Sequence, residues 1–587
     1  RVLMEKNTKL MYKTLYAVCL TAFIILSYVS FYFGNNVNKI YYYGFAISIP
    51  LGLIAYHFHS KFKYLNEVDE LKKKWGKKVK KKRQMRLIKR LFDSVEKDDK
   101  DKFYIDDQTW NDLTMDEIYP IIDRTITTPG EEALYLLLRS PFIKIPKIIH
   151  RKELINKLQK DDDFRGKVQS NLLIIGKQKG NMTLPLIFGS SLPERPTYAF
   201  LYDIMALLAV ASIISIAFLG FKAVFMFIMP VFFINLFIHY SADQKINVDI
   251  SSIKYLSKII KVSKIMSKEL RENGFGEYAD IFEKTYLKCK DIDKKGGALS
   301  TGGGTIDPIR EYVNVFFLVQ VRNFYRAVGS IEKNKKDLRE LYIKIGEIDA
   351  LLSIASFRSG IDNYVEPEFI DDGAYININD AVNPLIENAV PNSISVNGDG
   401  IIITGANMSG KSTYLRTVGV NILFAQTICT CLSKAYKGSI FRIMTSISSA
   451  DNIIGGKSYY LAEAEALLKI INASGEPIPV FCMIDEIFRG TNSVERIAAS
   501  AEILRYLVKH NAVVIVATHD LELVDLVGNE YKYYYFTENI SETELNFDYK
   551  IREGVSKNKN AVKIMKYLGY PDEIIEKTNS RISAKID

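Results

Sequence analysis

The chain alternates between stretches with no charge and stretches that are almost entirely charged. Thr14 to Phe33 and Ile40 to Ser60 are uncharged runs, separated by the polar stretch GNNVNK. Each is long enough for a helix to cross a hydrocarbon core of ~30 Å. A cleaved signal peptide is the competing reading of the first run. That run is too long for an h-region, lacks a small-residue cleavage site and leads at once into the second. Two further apolar runs, Ile204–Phe221 and Ala223–Tyr240, hinge on Gly220, Phe221 and Lys222. They predict a second hairpin. These runs are shorter, and a buried core hairpin is the alternative, but apolar side chains on nearly every face favour lipid. Further on, Val321, Phe324, Val328, Ile331, Leu338, Tyr342, Ile345 and Leu352 recur at three- and four-residue steps, with Lys335 interrupting. This pattern predicts a helical rod of about 35 residues, roughly 50 Å long. Its stripe reads as packing within the chain, with a dimeric coiled coil as the alternative.

Charge sets the orientation of the apolar runs. Lys6, Lys9 and Lys13 precede the first, Lys61, Lys63 and a polybasic stretch follow the second, and the loop between holds one lysine. By the positive-inside rule both flanks are cytoplasmic, and four spans keep the rest of the chain on the cytoplasmic side of the cell membrane. Residues 72–90, KKKWGKKVKKKRQMRLIKR, hold twelve basic residues and no acid, so the net charge of +10 belongs to one segment. Its position past the second span makes anionic lipid the expected partner, with nucleic acid competing. A chain of 587 residues with 48% hydrophobic and 25% charged residues is neither disordered nor one compact core. Five cysteines without a CxxC spacing and only six histidines argue against a disulfide scaffold and a zinc site. The chain opens on Arg1, as one missing its amino-terminal residues would.

The chemistry concentrates near the carboxyl end. Ile401–Thr413, IIITGANMSGKST, runs four β-formers into Gly405-x-x-x-x-Gly410-Lys411-Ser412, a P-loop pattern between a strand and a helix. Such glycines let backbone amides and a helix N-terminus face phosphates. Lys411 would neutralise β/γ-phosphate charge, and Ser412 would ligate Mg²⁺. Residues 480–486, VFCMIDE, end a second buried strand in two carboxylates, with a helical stretch between them and Lys411. Asp485 suits the Mg²⁺ shell and Glu486 the attacking water; an acidic helix cap is the plainer alternative. A third strand, AVVIVA at 512–517, ends in Thr518-His519-Asp520, where His519 can donate to a γ-phosphate or to water, or be satisfied by backbone. Alternating strands and helices argue for a mostly parallel sheet with ligands at its carboxyl edge.

Taken together, GANMSGKST, SISSADNIIGGKSYYL at 446–461, DEIFRGTN at 485–492 and ATHD at 517–520 resemble the ATPase domain of the MutS mismatch-repair family. The tail FDYKIREGVSKNKNAVKIMKYLGYPDEIIEKT resembles the family's closing segment. Tyr104–Phe142 resembles the start of its helical core, and IGEIDALL at 345–352 the end of its lever. The resemblance spans roughly residues 104–195 and 245–580. It implies an ABC-type ATPase that works as a dimer, binds ATP and Mg²⁺, and completes each site with the partner copy. Gly405, Asn407, Ser409, Gly410, Lys411, Ser412 and Thr413 map onto the phosphate loop, with Ser412 and Asp485 holding Mg²⁺. Glu486 and His519 map onto the water-activating and switch positions, alongside Lys411. Ser458, in Gly456-Lys457-Ser458, would reach the partner's γ-phosphate, and Arg489, Gly490, Thr491 and Asn492 would line the seam. Tyr549 falls where the family stacks adenine. Ala389 stands where an aromatic residue is usual, and KNKN at 557–560 replaces KSYG.

The departures are larger upstream. The family's mismatch-reading domain, with its Phe-x-Glu wedge, and its connector are replaced by two spans and a basic linker. The second hairpin stands roughly where a DNA clamp would be inserted. The expected fold is multidomain: α-helical transmembrane hairpins, an α-helical core and lever, and an α/β P-loop ATPase domain. The expected divisions are 1–61 (first hairpin), 62–103 (basic linker), 104–197 (core), 198–244 (second hairpin), 245–375 (lever and core) and 376–587 (ATPase domain with C-terminal helices). Three outputs follow: DNA binding of the mismatch-repair type by a membrane-anchored homodimer, an ATP-driven membrane machine, or an ATP-gated scaffold. The intact Asp485–Glu486 pair argues against the last, and Asp203 and Asn235 are the polar candidates for a solute path.

Overall fold

The computed structural model describes the chain except residues 1, 79–82, 100–101, 179, 181, 190–191, 193–195, 300–307, 372, 406–408, 448–458, 489–491, 541–544, 556–561, 563–564, 567 and 584–587. Two long helices, Val2–Asn36 and Phe45–Lys74, pair as the first hairpin. The turn between them is a 3₁₀ segment, Lys39–Gly44, capped by Asn38, whose side chain accepts from the Ile40 amide at 3.0 Å. Residues 40–44 are therefore turn rather than span. The second helix begins at Phe45 and runs without a break to Lys74, well past Ser60.

Among the described residues three helices are long and apolar enough to cross a membrane: Asn7–Asn36, Phe200–Leu219 and Val224–Ala242. Phe45–Lys74, which carries the expected 40–60 run, is not one of them. Pro50, Gly52, His57 and His59 dilute its apolar composition. The second hairpin turns at Gly220 (φ +58°) and re-enters through a π-helical turn, Val224–Ile228. It then continues as a single 44-residue helix, Met229–Glu272, about 66 Å long. The domain boundary expected at 244–245 falls inside this helix, so the apolar run and the helical core share one rigid element.

A third apolar element, the helix Pro308–Phe317, packs along the base of this hairpin. Its carbonyl at Phe316 accepts from Asn235 Nδ2 at 2.6 Å, and Phe232 packs on the rings of Tyr312 and Phe316. A helix end in apolar surroundings leaves carbonyls without partners, and Asn235 satisfies one of them. Asp203 is likewise engaged, by Arg322 at 2.6 Å and Arg326 at 2.8 Å.

The rod is two helices, Val319–Lys333 and Lys335–Arg358, joined at Asn334 beside the interrupting Lys335. All eight stripe residues are buried within the chain, against Gly276–Leu299, Thr128–Arg139 and Ile145–Lys160. The stripe is thus intramolecular packing. Near its end the buried Asp349 accepts from the Thr127 amide (2.7 Å), the Thr127 hydroxyl (2.6 Å) and the Ile126 amide (3.1 Å), holding Thr127, which caps Thr128–Arg139 by accepting from the Gly130 amide.

The carboxy-terminal part holds the sheets. β1 (Glu368–Phe369), β2 (Tyr375–Ala381), β3 (Asn392–Asn397) and β5 (Ala435–Gly438) form a four-stranded sheet of order β1-β5-β2-β3. β4 (Gly400–Thr404), β6 (Arg442–Ser446), β7 (Val480–Asp485), β8 (Ala512–Ala517), β9 (Tyr531–Tyr535) and β12 (Arg552–Glu553) form a six-stranded one. β10 (Glu538–Ile540) and β11 (Leu545–Phe547) are a short antiparallel pair. In the larger sheet, order β12-β9-β4-β8-β7-β6, all pairings but β12–β9 are parallel. β4, β7 and β8 are buried along their whole length, so they read as continuous apolar runs.

Candidate functional site at the carboxyl edge of the large sheet

Parallel register brings the tips of three strands into one row. Ile403 pairs with Ala517 and Ala517 with Asp485, so the residues that follow (Thr404, Thr518 and Glu486) emerge side by side, with Gly405 one step beyond Thr404. Gly405 (φ +142°) and Gly410 (φ +106°) frame the turn after β4. A side chain at Gly405 would meet the Phe536 carbonyl at 2.8 Å. Gly410 caps the helix Lys411–Ile428, which points its N-terminus at this edge.

Side chains from all three tips then meet. Lys411 Nζ donates to the Gly405 carbonyl at 2.7 Å and lies 3.2 Å from His519 Nε2. The same His519 nitrogen lies 3.2 Å from Glu486 Oε1. Ser412 Oγ donates to Asp485 Oδ2 at 2.5 Å. One imidazole nitrogen can accept from Lys411 or donate to Glu486, but not both at once. Burial, then the charge of Lys411, lowers the His519 pKa; Glu486, Asp485 and Asp520 oppose this. Glu486 (φ +61°) and Phe488 (φ +57°) hold left-handed backbone conformations, a strain that re-aims the chain as it leaves β7. Ser409 is buried, and its Oγ has no hydrogen-bond partner among the described residues, an unsatisfied donor inside the glycine-rich turn. Thr413 is exposed on the first helical turn.

Tyr549 also reaches the site. Its ring lies 3.3 Å from where a Gly410 side chain would begin and stacks on Phe547 at 5.8 Å. Asn392 holds the Tyr549 carbonyl at 2.9 Å. Ala389 is half-buried. Asn407, Ser458, Arg489, Gly490, Thr491 and the KNKN stretch lie outside the described residues. Asn492 caps the helix Ser493–Lys509 by accepting from the Val494 amide.

Several supporting residues carry no signal in the sequence pattern. Arg496 grips Asp520 with two bonds of 2.6 and 3.0 Å, fixing the turn that carries His519. Glu463 accepts from the Phe488 amide at 2.5 Å. Asp112, from the helical core, accepts from Thr445 Oγ1 (2.7 Å) and the Ile447 amide (2.9 Å), and its carbonyl accepts from Arg416 at 2.9 Å. It ties the core to both β6 and the helix after the glycine-rich turn. These partners lie far apart along the chain, and no local pattern announces them.

A glycine-framed turn, a lysine at a helix start and paired carboxylates on neighbouring parallel strands form an edge chemically suited to a phosphorylated ligand with a hard divalent cation. Residues 401–586 match the model of MutS domain V. The DNA mismatch repair protein MutS of Petrotoga mobilis is 29% identical over 347 residues, covering 56% of this chain and 40% of that protein. The MutS of Thermotoga maritima is 30% identical over 320 residues, 52% of this chain and 40% of its own length. That of Fusobacterium nucleatum is 23% identical over 533 residues, 80% of this chain and 57% of its length. The chain is thus similar to MutS proteins, and its residues 401–586 to MutS domain V. The chain spans about 40% of the length of the first two of these relatives.

Proposed function

We propose that the chain is a membrane-anchored, Mg²⁺-dependent ATPase of the MutS type. It works as a homodimer with composite ATP sites, its heads in the cytoplasm, and couples ATP binding and hydrolysis to DNA binding of the mismatch-repair kind. The observation that carries this reading is the meeting of Lys411, Ser412, Asp485, Glu486 and His519 at three adjacent strand tips. The oxygen pair Ser412–Asp485 and the unsatisfied Ser409 hydroxyl fit a magnesium–phosphate group. Ser412 and Asp485 would hold Mg²⁺, which when bound offsets phosphate charge. Lys411 leaves the Gly405 carbonyl for phosphate oxygens. That frees His519 Nε2 to donate to Glu486 or to the γ-phosphate. Glu486 orients water and takes its proton. Tyr549 offers a ring for the base, and Ser458 of the second copy would close the site.

Replacing Lys411 by alanine is expected to abolish nucleotide binding, measured as a rise of at least about a hundredfold in Kd for a fluorescent ATP analogue, because one charged phosphate contact of several kcal/mol is lost. An unchanged Kd would refute the phosphate-loop assignment. The 44-residue helix running from the apolar hairpin into the core favours a second reading, a machine that moves the membrane segment. Against a solute path, Asp203 and Asn235 are both engaged in local bonds. The ATP-gated scaffold remains the reading to which loss of hydrolysis would lead.

A further inference from the structure

The described residues of the polybasic run are docked on the helical core. Tyr64 donates to the Ser170 carbonyl at 3.1 Å, Trp75 lies under Arg165 at 4.3 Å, and the Gly76 amide donates to Ser356 Oγ at 3.1 Å. Gly76 and Gly360 approach so closely that a side chain on Gly360 would sit 1.8 Å from the Gly76 carbonyl. Arg124 Nε holds the Lys77 carbonyl at 3.1 Å, and Arg83 forms a buried ion pair with Asp123. Residues 75–77 and Arg83 are thus fixed at the junction where the rod Lys335–Arg358 ends. Lys74, Lys77, Lys78 and Arg86 remain exposed, and among the described residues no carboxylate pairs with them.

Two observations choose the partner. First, Lys74 closes the same unbroken helix, Phe45–Lys74, that carries Ser60. The interval between them is about 21 Å along the axis, beyond a headgroup layer of roughly 5–7 Å and a further screening length of ~8 Å. If the first hairpin crosses the membrane and its second helix leaves it near Ser60, lipid phosphates are out of reach of Lys74, and Lys77 follows it at the end of the rod, held there by Arg124. Second, Trp75 is the sole aromatic residue in 72–90, and one face is covered by Arg165. The run therefore offers no row of rings on which successive bases of a single strand could stack. We propose that Lys74, Lys77, Lys78 and Arg86 form a binding site for the phosphate backbone of duplex DNA, read without regard to sequence. This rests on the proposed DNA coupling and on a span ending near Ser60. It places the contact at the rod's junction with the sheets rather than at the hairpin end.

The test uses the full chain in nanodiscs of uncharged phosphatidylcholine, with a labelled duplex of about 30 base pairs followed by anisotropy from about 50 to 200 mM salt. The K74Q/K77Q/K78Q/R86Q variant should bind at least about tenfold more weakly at low salt and lose roughly 3 to 4 from the log–log salt slope. The charge-conserving K74R/K77R/K78R/R86K variant should keep both. If the glutamine variant matches the parent in affinity and slope, this site is wrong while DNA binding stands. A parent that binds no duplex overturns the DNA reading itself. Loss of duplex binding when phosphatidylserine is added to the same disc would mean that the run reaches lipid, and would overturn the site.

Discussion

His519 Nε2 stands between Lys411 and Glu486 at equal distances of 3.2 Å, so its protonation decides which of them it serves. Burial and the lysine lower its pKa, and Glu486 pulls the other way. The ring therefore stays neutral below the ordinary histidine pKa of about 6.5. Removing the Glu486 charge with Glu486→Gln should move the His519 titration to still lower pH, as read from its ring resonances by NMR. A move upward would contradict the arrangement. At this scale much of the site was legible: GANMSGKST, DE and THD announce strand tips because glycine, lysine and carboxylates follow runs of β-formers. What the pattern could not supply is the contact between them. That Asp485 meets Ser412 while Glu486 meets His519 depends on the register of β7 and β8, which is a tertiary fact.

Among the elements, the hold of the fully buried Asp349 on Thr127, the cap of Thr128–Arg139, carries its own pH signature. Burial raises its pKa to about 6, although the Thr127 and Ile126 donors work against that rise. A carboxyl raised in the folded state contributes stability that is whole below the unfolded pKa near 4 and is lost as pH climbs through about 6. Two pKa units correspond to on the order of 3 kcal/mol. Asp349→Asn, which cannot ionise, should therefore gain on the parent in thermal stability between pH 4 and 7. A Tm difference constant over that range would contradict the burial argument. The rod's apolar stripe was legible because its period survives the break at Asn334. The helix Pro308–Phe317 escapes the pattern, since so short an element shows little period and its burial against Met229–Glu272 is non-local. The turn at 39–44 merges with the span because an uncharged composition cannot distinguish a 3₁₀ segment from a helix.

For the whole molecule, the main revision concerns continuity. Composition divides the chain at 244–245, where apolar residues give way to charge, but one helix crosses that point. Contacts join the strand tips to that helix: Asp112 links β6 and the post-turn helix to the helical core, which packs along Met229–Glu272. Everything proposed for the molecule depends on whether the strand-tip residues hydrolyse ATP. The most direct measurement is steady-state, Mg²⁺-dependent ATP turnover by the full chain in nanodiscs, parent beside Glu486→Gln. The parent should turn over ATP and the variant should lose at least about a hundredfold of that rate, as expected when a group orienting the attacking water is removed, with ATP binding retained. Equal turnover by the two proteins would contradict this.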